Sequence, residues 1–343
     1  MQGEKQYKTG LDVGSTTAKI VIIDESGQTV FSRYERHNAQ VNDLLSAYFR
    51  EARQELGNIE TSIAVTGSVG MGTAEQLRTE FIQEVVAATR YAQQLYPSAS
   101  ALIDIGGEDA KVVLFQGNHI DLRMNGNCAG GTGAFIDQMA VLLGVDIEEL
   151  SRLALQAEHI HPIAARCGVF SKTDIQNLVS RNVPLGDIAA SIFHAVAVQT
   201  IVTLSRGWTF HPPILLCGGP LTFIPALRKA FADYLHLQES DFILPAGGNL
   251  LPALGCALCA TEEKAVALST LENLISRSTD ITTKNSLPPL FDSETDYDNW
   301  KKEKAHYNWP SAPLVQRIQE AVLGIDSGST TTKIVVTTPD GAI

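Results

Sequence analysis

The sequence predicts a duplicated α/β fold of two lobes, and three observations carry that prediction. Strand-like and helix-like segments alternate along most of the chain. Two stretches, near residues 10 and 104, each run strand, glycine turn, strand. The chain has 343 residues, 44% of them hydrophobic, enough for a sizeable core.

In chain order, "LDVGSTTAKIVIIDESGQTVFSR" reads as three strands, with β-branched residues alternating around Gly14 and Gly27. Asn42–Gly57 has a helical period and ends on a glycine. "TSIAVTGS" is a further strand, and Ala74–Tyr96 reads as one helix stopped by Pro97. "ALIDIGGEDAKVVLFQGNHI" then repeats the strand–glycine–strand pattern. Phe135–Gly144, Asp174–Val179 and Leu185–Trp208 read as helices, "PILLCGGP" as a buried strand, and Leu221–Leu235 and Leu251–Val266 as helices. The most apolar long run, Ile188–Leu204, is interrupted by Ser191, His194, Gln199 and Thr200. It reads as a buried or amphipathic helix, too short and too polar to span a bilayer.

These segments divide into a first lobe at 1–97 and a second at 98–268. Residues 269–320 are polar, proline-punctuated and aperiodic, which predicts a linker. Phe291, Tyr297, Trp300, Tyr307 and Trp309 are nevertheless aromatics enough to pack into an irregular subdomain. At 321–343 the chain begins again: Gly324–Val335 matches Gly10–Val21 at nine of twelve positions, a repeat with the period of a whole domain. A strand pair without the rest of its sheet has no core, so the sequence is expected to be the front of a longer, two-copy protein.

Lys and Arg number 26 against 38 Asp and Glu, a net charge of −12. That speaks against nucleic acid or an anionic membrane as the partner. "MQGEKQYK" is polar and leads straight into a strand, so no signal peptide is expected. The five cysteines, an odd number, argue against a secreted disulfide framework and for a reducing cytoplasm.

The chemistry concentrates in three glycine loops, each after a hydrophobic strand. In "DVGSTTAK", Asp12–Lys19, Val13 and Gly14 let the backbone turn so that N–H groups face phosphate oxygens, and Ser15, Thr16 and Thr17 add hydroxyls. Asp12 suits the water shell of Mg²⁺, and Lys19 either neutralises phosphate or faces solvent. "DIGGEDAK" supplies Asp104, Gly106, Gly107 and Glu108; "LLCGGP" supplies Gly218, Gly219 and Pro220 near the nucleoside. No G-x-x-x-x-G-K-[ST] occurs, which excludes a P-loop, and no G-x-G-x-x-G opens a helix.

The order of these loops resembles the actin, sugar kinase and heat-shock chaperone ATPase superfamily. That resemblance implies two ribonuclease-H-like halves closing on ATP and Mg²⁺, with Asp12 and Asp104 facing the metal from opposite lobes. It makes Glu108 a candidate to orient the attacking water.

Two cysteines narrow the family. "NGNCAGGTGAFIDQMA" places Cys128 before a helix start with Gly131 and Thr132 beside it, and "ARCGVFSKTDIQNL" places Cys167 before another. A helix N-terminus favours a thiolate or the anionic charge of an iron–sulfur cluster. Over roughly residues 8–266 these stretches resemble the activator ATPases of 2-hydroxyacyl-CoA dehydratases and the related benzoyl-CoA reductase subunits. The resemblance implies one 4Fe-4S cluster held by Cys128 and Cys167 from each of two copies, in a homodimer or between the two copies of one chain. It further implies loading by ferredoxin or flavodoxin, and ATP-driven electron delivery to a CoA-thioester dehydratase or reductase. Cys256 and Cys259 form a C-x-x-C but read as core packing, as does Cys217. A small-molecule kinase and a non-catalytic nucleotide-binding scaffold stay open on the same loops, although no motif supplies a kinase base.

Overall fold

The computed structural model describes residues 6–117, 119–125, 130–165, 167–261, 265–276, 288–307, 320–328 and 331–338. The chain divides into two compact units, Met1–Ser278 and Thr279–Ile343.

The first unit opens with an antiparallel meander, β1 (Tyr7–Val13), β2 (Thr17–Ile23) and β3 (Thr29–Arg36). Helix α1 (Val41–Leu56) crosses over to β4 (Glu60–Thr66), which pairs parallel to β1. Next come α2 (Gly70–Leu77), β5 (Glu80–Phe81) and α3 (Glu84–Leu95). The pattern then recurs. β6 (Ala101–Ile105), β7 (Ala110–Gln116) and β8 (His119–Asn125) form a second meander. Four helices follow: α4 (Gly133–Leu143), α5 (Ile147–Ala154), α6 (Gly168–Ser180) and α7 (Leu185–Ser205). They lead to β9 (Ile214–Cys217), parallel to β6. The two sheets share one topology, β4-β1-β2-β3 and β9-β6-β7-β8, so the predicted duplicated ribonuclease-H-like arrangement is present within the unit.

The repeat extends to the ladder register of matching residues. Asp12 pairs across the ladder with Lys19, and Asp104 with Lys111. Each hairpin closes the same way: the Gly14 N–H donates to the Thr17 carbonyl at 3.0 Å, and that of Gly106 to the Asp109 carbonyl at 2.8 Å. After β9 the chain runs through α8 (Gly219–Phe223), α9 (Pro225–Leu235), β10 (Phe242–Ile243) and α10 (Leu251–Cys259). Leu221–Leu235 is therefore not one helix. Pro225 pushes Ile224 out of the helical region, to φ −113° and ψ 95°.

The predicted Ala74–Tyr96 helix is also broken. Arg78 turns left-handed at φ 57°, and the next residues lie along β4 as β5. A third correction concerns the lobe boundary at 268. The helix predicted to Val266 ends at Cys259. β11 (Ala265–Ala267) then adds to the edge of β4, and α11 (Leu268–Ser276) buries Leu268, Leu271 and Ile275 against α1. The chain thus returns to the first lobe, and the linker does not begin at 269.

Packing forms layers. α1, α2 and α11 cover one face of the first sheet. α4, α5, α6, α7 and α9 cover the far face of the second. Between the sheets lie α3 and α10, in a core shared by Val21, Ile23, Leu102, Val113 and Leu215. Helix α7 has 21 residues and is long and apolar enough to cross a bilayer, which corrects the reading of its core as too short and too polar. Yet 72% of its apolar window is buried inside the second lobe. Cys217 and Cys256 are fully buried, and burial pushes both thiols up, which fits core packing. Cys259, at the end of α10, is half-buried.

The second unit contains α12 (Glu294–Ala305), capped by the Ser293 hydroxyl, which accepts from the Asp296 N–H at 3.2 Å. Phe291, Tyr297 and Trp300 pack ring on ring at 5.3–6.1 Å, so these aromatics of the predicted linker do form local structure. Trp309 lies outside the described residues. β12 (Val322–Ser327) and β13 (Thr332–Thr337) reproduce the β1–β2 hairpin: Asp326 opposes Lys333, and the Gly328 N–H donates to Thr331 at 3.0 Å. Asp326 and Lys333 are 68% and 69% exposed, whereas Asp12 and Lys19 are 2% and 14% exposed. The hairpin is dictated locally; its burial comes from the rest of a lobe.

Candidate functional site

The two meanders turn their glycine loops toward each other across a cleft open to solvent. From the first lobe it is lined by Thr16, Thr17, Lys19, Tyr34 and Arg36, and from the start of α3 by Glu84. From the second it is lined by Asp104, Gly106, Gly107, Gly218, Gly219 and Pro220. The first residues of α4 are fastened to the second loop: the Gly133 N–H donates to the Gly106 carbonyl at 2.9 Å and that of Ala134 to Gly107 at 2.7 Å.

The remaining predicted residues do other work. Asp12 is buried beneath Lys19, whose ammonium bonds it at 2.5 Å. Val13 accepts from the Val69 N–H at 2.9 Å and Gly14 closes the turn, so both build the loop rather than line the cleft. Ser15 is half-buried and off the lining, and Gly131 and Thr132 set the start of α4. Glu108 is a correction. It sits at the tip of the turn that Gly106 and Asp109 close, exposed, away from the lining.

Two residues not anticipated from sequence dominate the electrostatics. The Lys111 ammonium is buried and bonds Glu84 at 2.6 Å and Asp109 at 2.8 Å. Burial pushes the Glu84 carboxyl up to about 7; Lys111 pulls against that, while Asp12, Asp104 and Asp109 add to it. Asp104 is raised by burial against the pull of Lys111. Burial opposes the charge on both lysines, yet the surrounding carboxylates outweigh it and hold each above its ordinary value. Four acids, Asp12, Glu84, Asp104 and Asp109, thus share two lysines. Among the described residues no three of these acids converge tightly enough to hold a metal ion by themselves, so a Mg²⁺ at this cluster would depend on phosphate oxygens and water for most of its ligands. The lining also includes the apolar side chains of Ile136, Ile147, Phe223, Ile224 and Pro252 together with Asn249, a surface that suits a flat heterocycle.

The two glycines behind the carboxylates are equivalent. Gly67 follows β4 at φ 99° and Gly218 follows β9 at φ 86°. A Cβ on either would stand 2.5 Å from Oδ1 of its own aspartate, Asp12 or Asp104. Gly218 belongs to a predicted loop; Gly67, in "VTGS", was legible only as a strand end.

Cys167 is half-buried at the N-cap of α6, its carbonyl accepting from the Ser171 N–H and hydroxyl, both at 2.9 Å. A Cβ on the next residue, Gly168, would lie 3.8 Å from the Gly130 nitrogen. The Cys167 loop therefore abuts the segment two residues beyond Cys128, which itself lies outside the described residues. A thiol at a helix N-terminus is a donor suited to an iron–sulfur cluster.

The chain is 28% identical over 276 residues to the 2-hydroxyisocaproyl-CoA dehydratase activator of Clostridioides difficile, covering 78% of this chain and all of that protein. It is 29% identical over 265 residues to the (R)-2-hydroxyglutaryl-CoA dehydratase activating ATPase of Acidaminococcus fermentans, covering 76% of this chain and 98% of that one. The solved structure of the activator of the 2-hydroxyisocaproyl-CoA dehydratase from Clostridium difficile, with bound ADPNP, superposes with a TM-score of 0.63 at 26% identity, over 80% of this chain and 99% of that one. Residues 9–260 match the model of one family of ATPases, and the chain belongs to it: the BadF/BadG/BcrA/BcrD ATPase family.

Proposed function

We propose that this protein is an ATP-hydrolysing activator that delivers a low-potential electron to a CoA-thioester dehydratase or reductase in a reducing cytoplasm. ATP lies with its phosphates between the Thr16 and Gly107 loops and its base among Ile136, Phe223 and Ile224. Asp104, with Asp12 behind Lys19, would hold Mg²⁺ at the phosphates. Glu84, which lines the cleft where Glu108 does not, takes the proton of the attacking water. The donor is a ferredoxin or flavodoxin, and Cys128 and Cys167 of two copies, in a homodimer or within a two-copy chain, hold one 4Fe-4S cluster.

One observation carries the electron-transfer part of this reading. The Cys167 loop meets Gly130, and the helix that follows begins on the phosphate loop itself. Nucleotide state and the Cys167 loop thus meet on one structural element. The test is iron and acid-labile sulfide per chain after anaerobic reconstitution, in wild type, Cys128→Ala and Cys167→Ala. About two iron per chain, lost in both variants, is expected for a four-iron cluster shared by two copies. Iron retained in Cys167→Ala would sink the assignment.

Glu84 also fixes a pH dependence. As a base it works only when ionised, so hydrolysis rises with pH through about 7. Lys111 is the main influence holding that value down. In Lys111→Met the acid limb of the kcat profile at saturating ATP should move upward by about one pH unit or more. An unmoved limb would show that another group titrates.

A further inference from the structure

Helix α4 is tied to both lobes. Its first turn is fastened to the second phosphate loop through Gly133 and Ala134. One turn later, the Asp137 carboxylate accepts from the Arg36 guanidinium at 2.7 Å. Arg36 is the last residue of β3, in the other lobe. Two residues back on the same face of that strand, Tyr34 also crosses the cleft, its ring 5.9 Å from that of Phe223. Asp137 lies on the helix that begins immediately after the Gly130–Thr132 segment.

Resting on the reading above, we propose that the Arg36–Asp137 pair is a strut coupling closure of the cleft to α4, the helix that follows Gly130–Thr132 and abuts the Cys167 loop, with Arg36 a positioning residue for electron transfer. The pair is 59% and 31% exposed, so it adds little to stability and breaks easily. That weakness suits a switch. When the lobes rotate apart, α4 either follows Arg36 and leaves the Gly106–Gly107 loop, or stays on the loop and releases Arg36. In the first case the lobe angle is read out directly at the start of α4, beside Gly130 and the Cys167 loop; in the second, α4 loses its tie to the first lobe and is held from the phosphate loop alone. Coupling needs such a two-state element that both sites bias. The competing role for Arg36, as a direct phosphate ligand, predicts a different pattern, because Asp137 would then only compete with nucleotide.

The test is hydrogen exchange of residues 133–143 in the full chain, with ADP and with a non-hydrolysable ATP analogue, alongside analogue affinity and iron content. The variants are Arg36→Ala, Asp137→Ala and the swapped pair R36D/D137R. In wild type the two nucleotides should give α4 protection differing by on the order of tenfold. Either single variant should erase that difference and shift analogue affinity to the same extent, and the swap should restore it. The strut is overturned if wild type shows no nucleotide-dependent protection in α4, or if both single variants keep it. It is equally overturned if Arg36→Ala weakens analogue binding while Asp137→Ala strengthens it. Absence of iron in wild type removes the electron-transfer reading, whatever the exchange shows.

Discussion

Glu84→Gln is expected to lower kcat for ATP hydrolysis by about 100- to 10,000-fold, the range for loss of a positioned proton acceptor. The substitution keeps the shape of the side chain and removes its basicity. Lys111 stays paired to Asp109 at 2.8 Å, so the buried ammonium is not orphaned and the fold should survive. Binding of a non-hydrolysable ATP analogue should change by less than about threefold, since carboxamide and carboxylate fill the same space. The second signature is in pH. Wild-type hydrolysis should climb through pH 7 as the Glu84 carboxylate ionises, and the residual rate of the variant should lose that limb. A kcat within about twofold of wild type would assign Glu84 a purely electrostatic part in holding Lys111.

The family resemblance offered Glu108, whereas Glu84 is the glutamate that lines the cleft, and the difference has a physical origin. The glycine hairpins were legible because their cause is local. Alternating β-branched residues make the strands, and Gly14 and Gly106 each donate across a tight turn to the residue three positions on. The β12–β13 copy, with the same turn and the same Asp–Lys opposition, shows how far that local code reaches. Glu108 lies inside such a hairpin and was therefore visible, but the turn that made it visible also carries it outward. Glu84 depends on a break between α2 and α3 that no local rule demands. Apolar residues keep a helical rhythm through Arg78–Gln83, and only the edge of β4 draws Glu80 and Phe81 into a sheet. "TEFI", with its β-branched and aromatic residues, was the available signal. Residues 265–276 were misassigned for a related reason: order along the chain suggests a lobe, whereas α11 finds its apolar partner on α1, more than 200 residues earlier. Tyr34 and Arg36 read simply as strand residues, and their meaning lies wholly in what faces them across the cleft.

Gly218→Ala should remove the nucleotide site and much of the fold's stability together. Gly218 holds φ 86°, and its added Cβ would be driven into the Ile105 carbonyl and to 2.5 Å from Asp104 Oδ1. Gly67 repeats the arrangement at φ 99°, against Val13 and Asp12. In both, backbone is packed on backbone, so no flexible side chain can give way. Left-handed strain costs about 1–3 kcal/mol, and overpacking adds about 1–3 kcal/mol, against a typical total stability of about 5–15 kcal/mol. Gly57→Ala separates the two contributions. Gly57 has nearly the same φ, 80°, but nothing stands within 4 Å of its added Cβ, so that variant carries strain alone. Urea unfolding should place Gly218→Ala and Gly67→Ala below Gly57→Ala by about 1–3 kcal/mol, and analogue binding should be lost only in the first two. Equal loss in all three would mean that conformation, not the close approach behind Asp12 and Asp104, fixes these glycines. Asp12 would then owe its position to its bond with Lys19 instead.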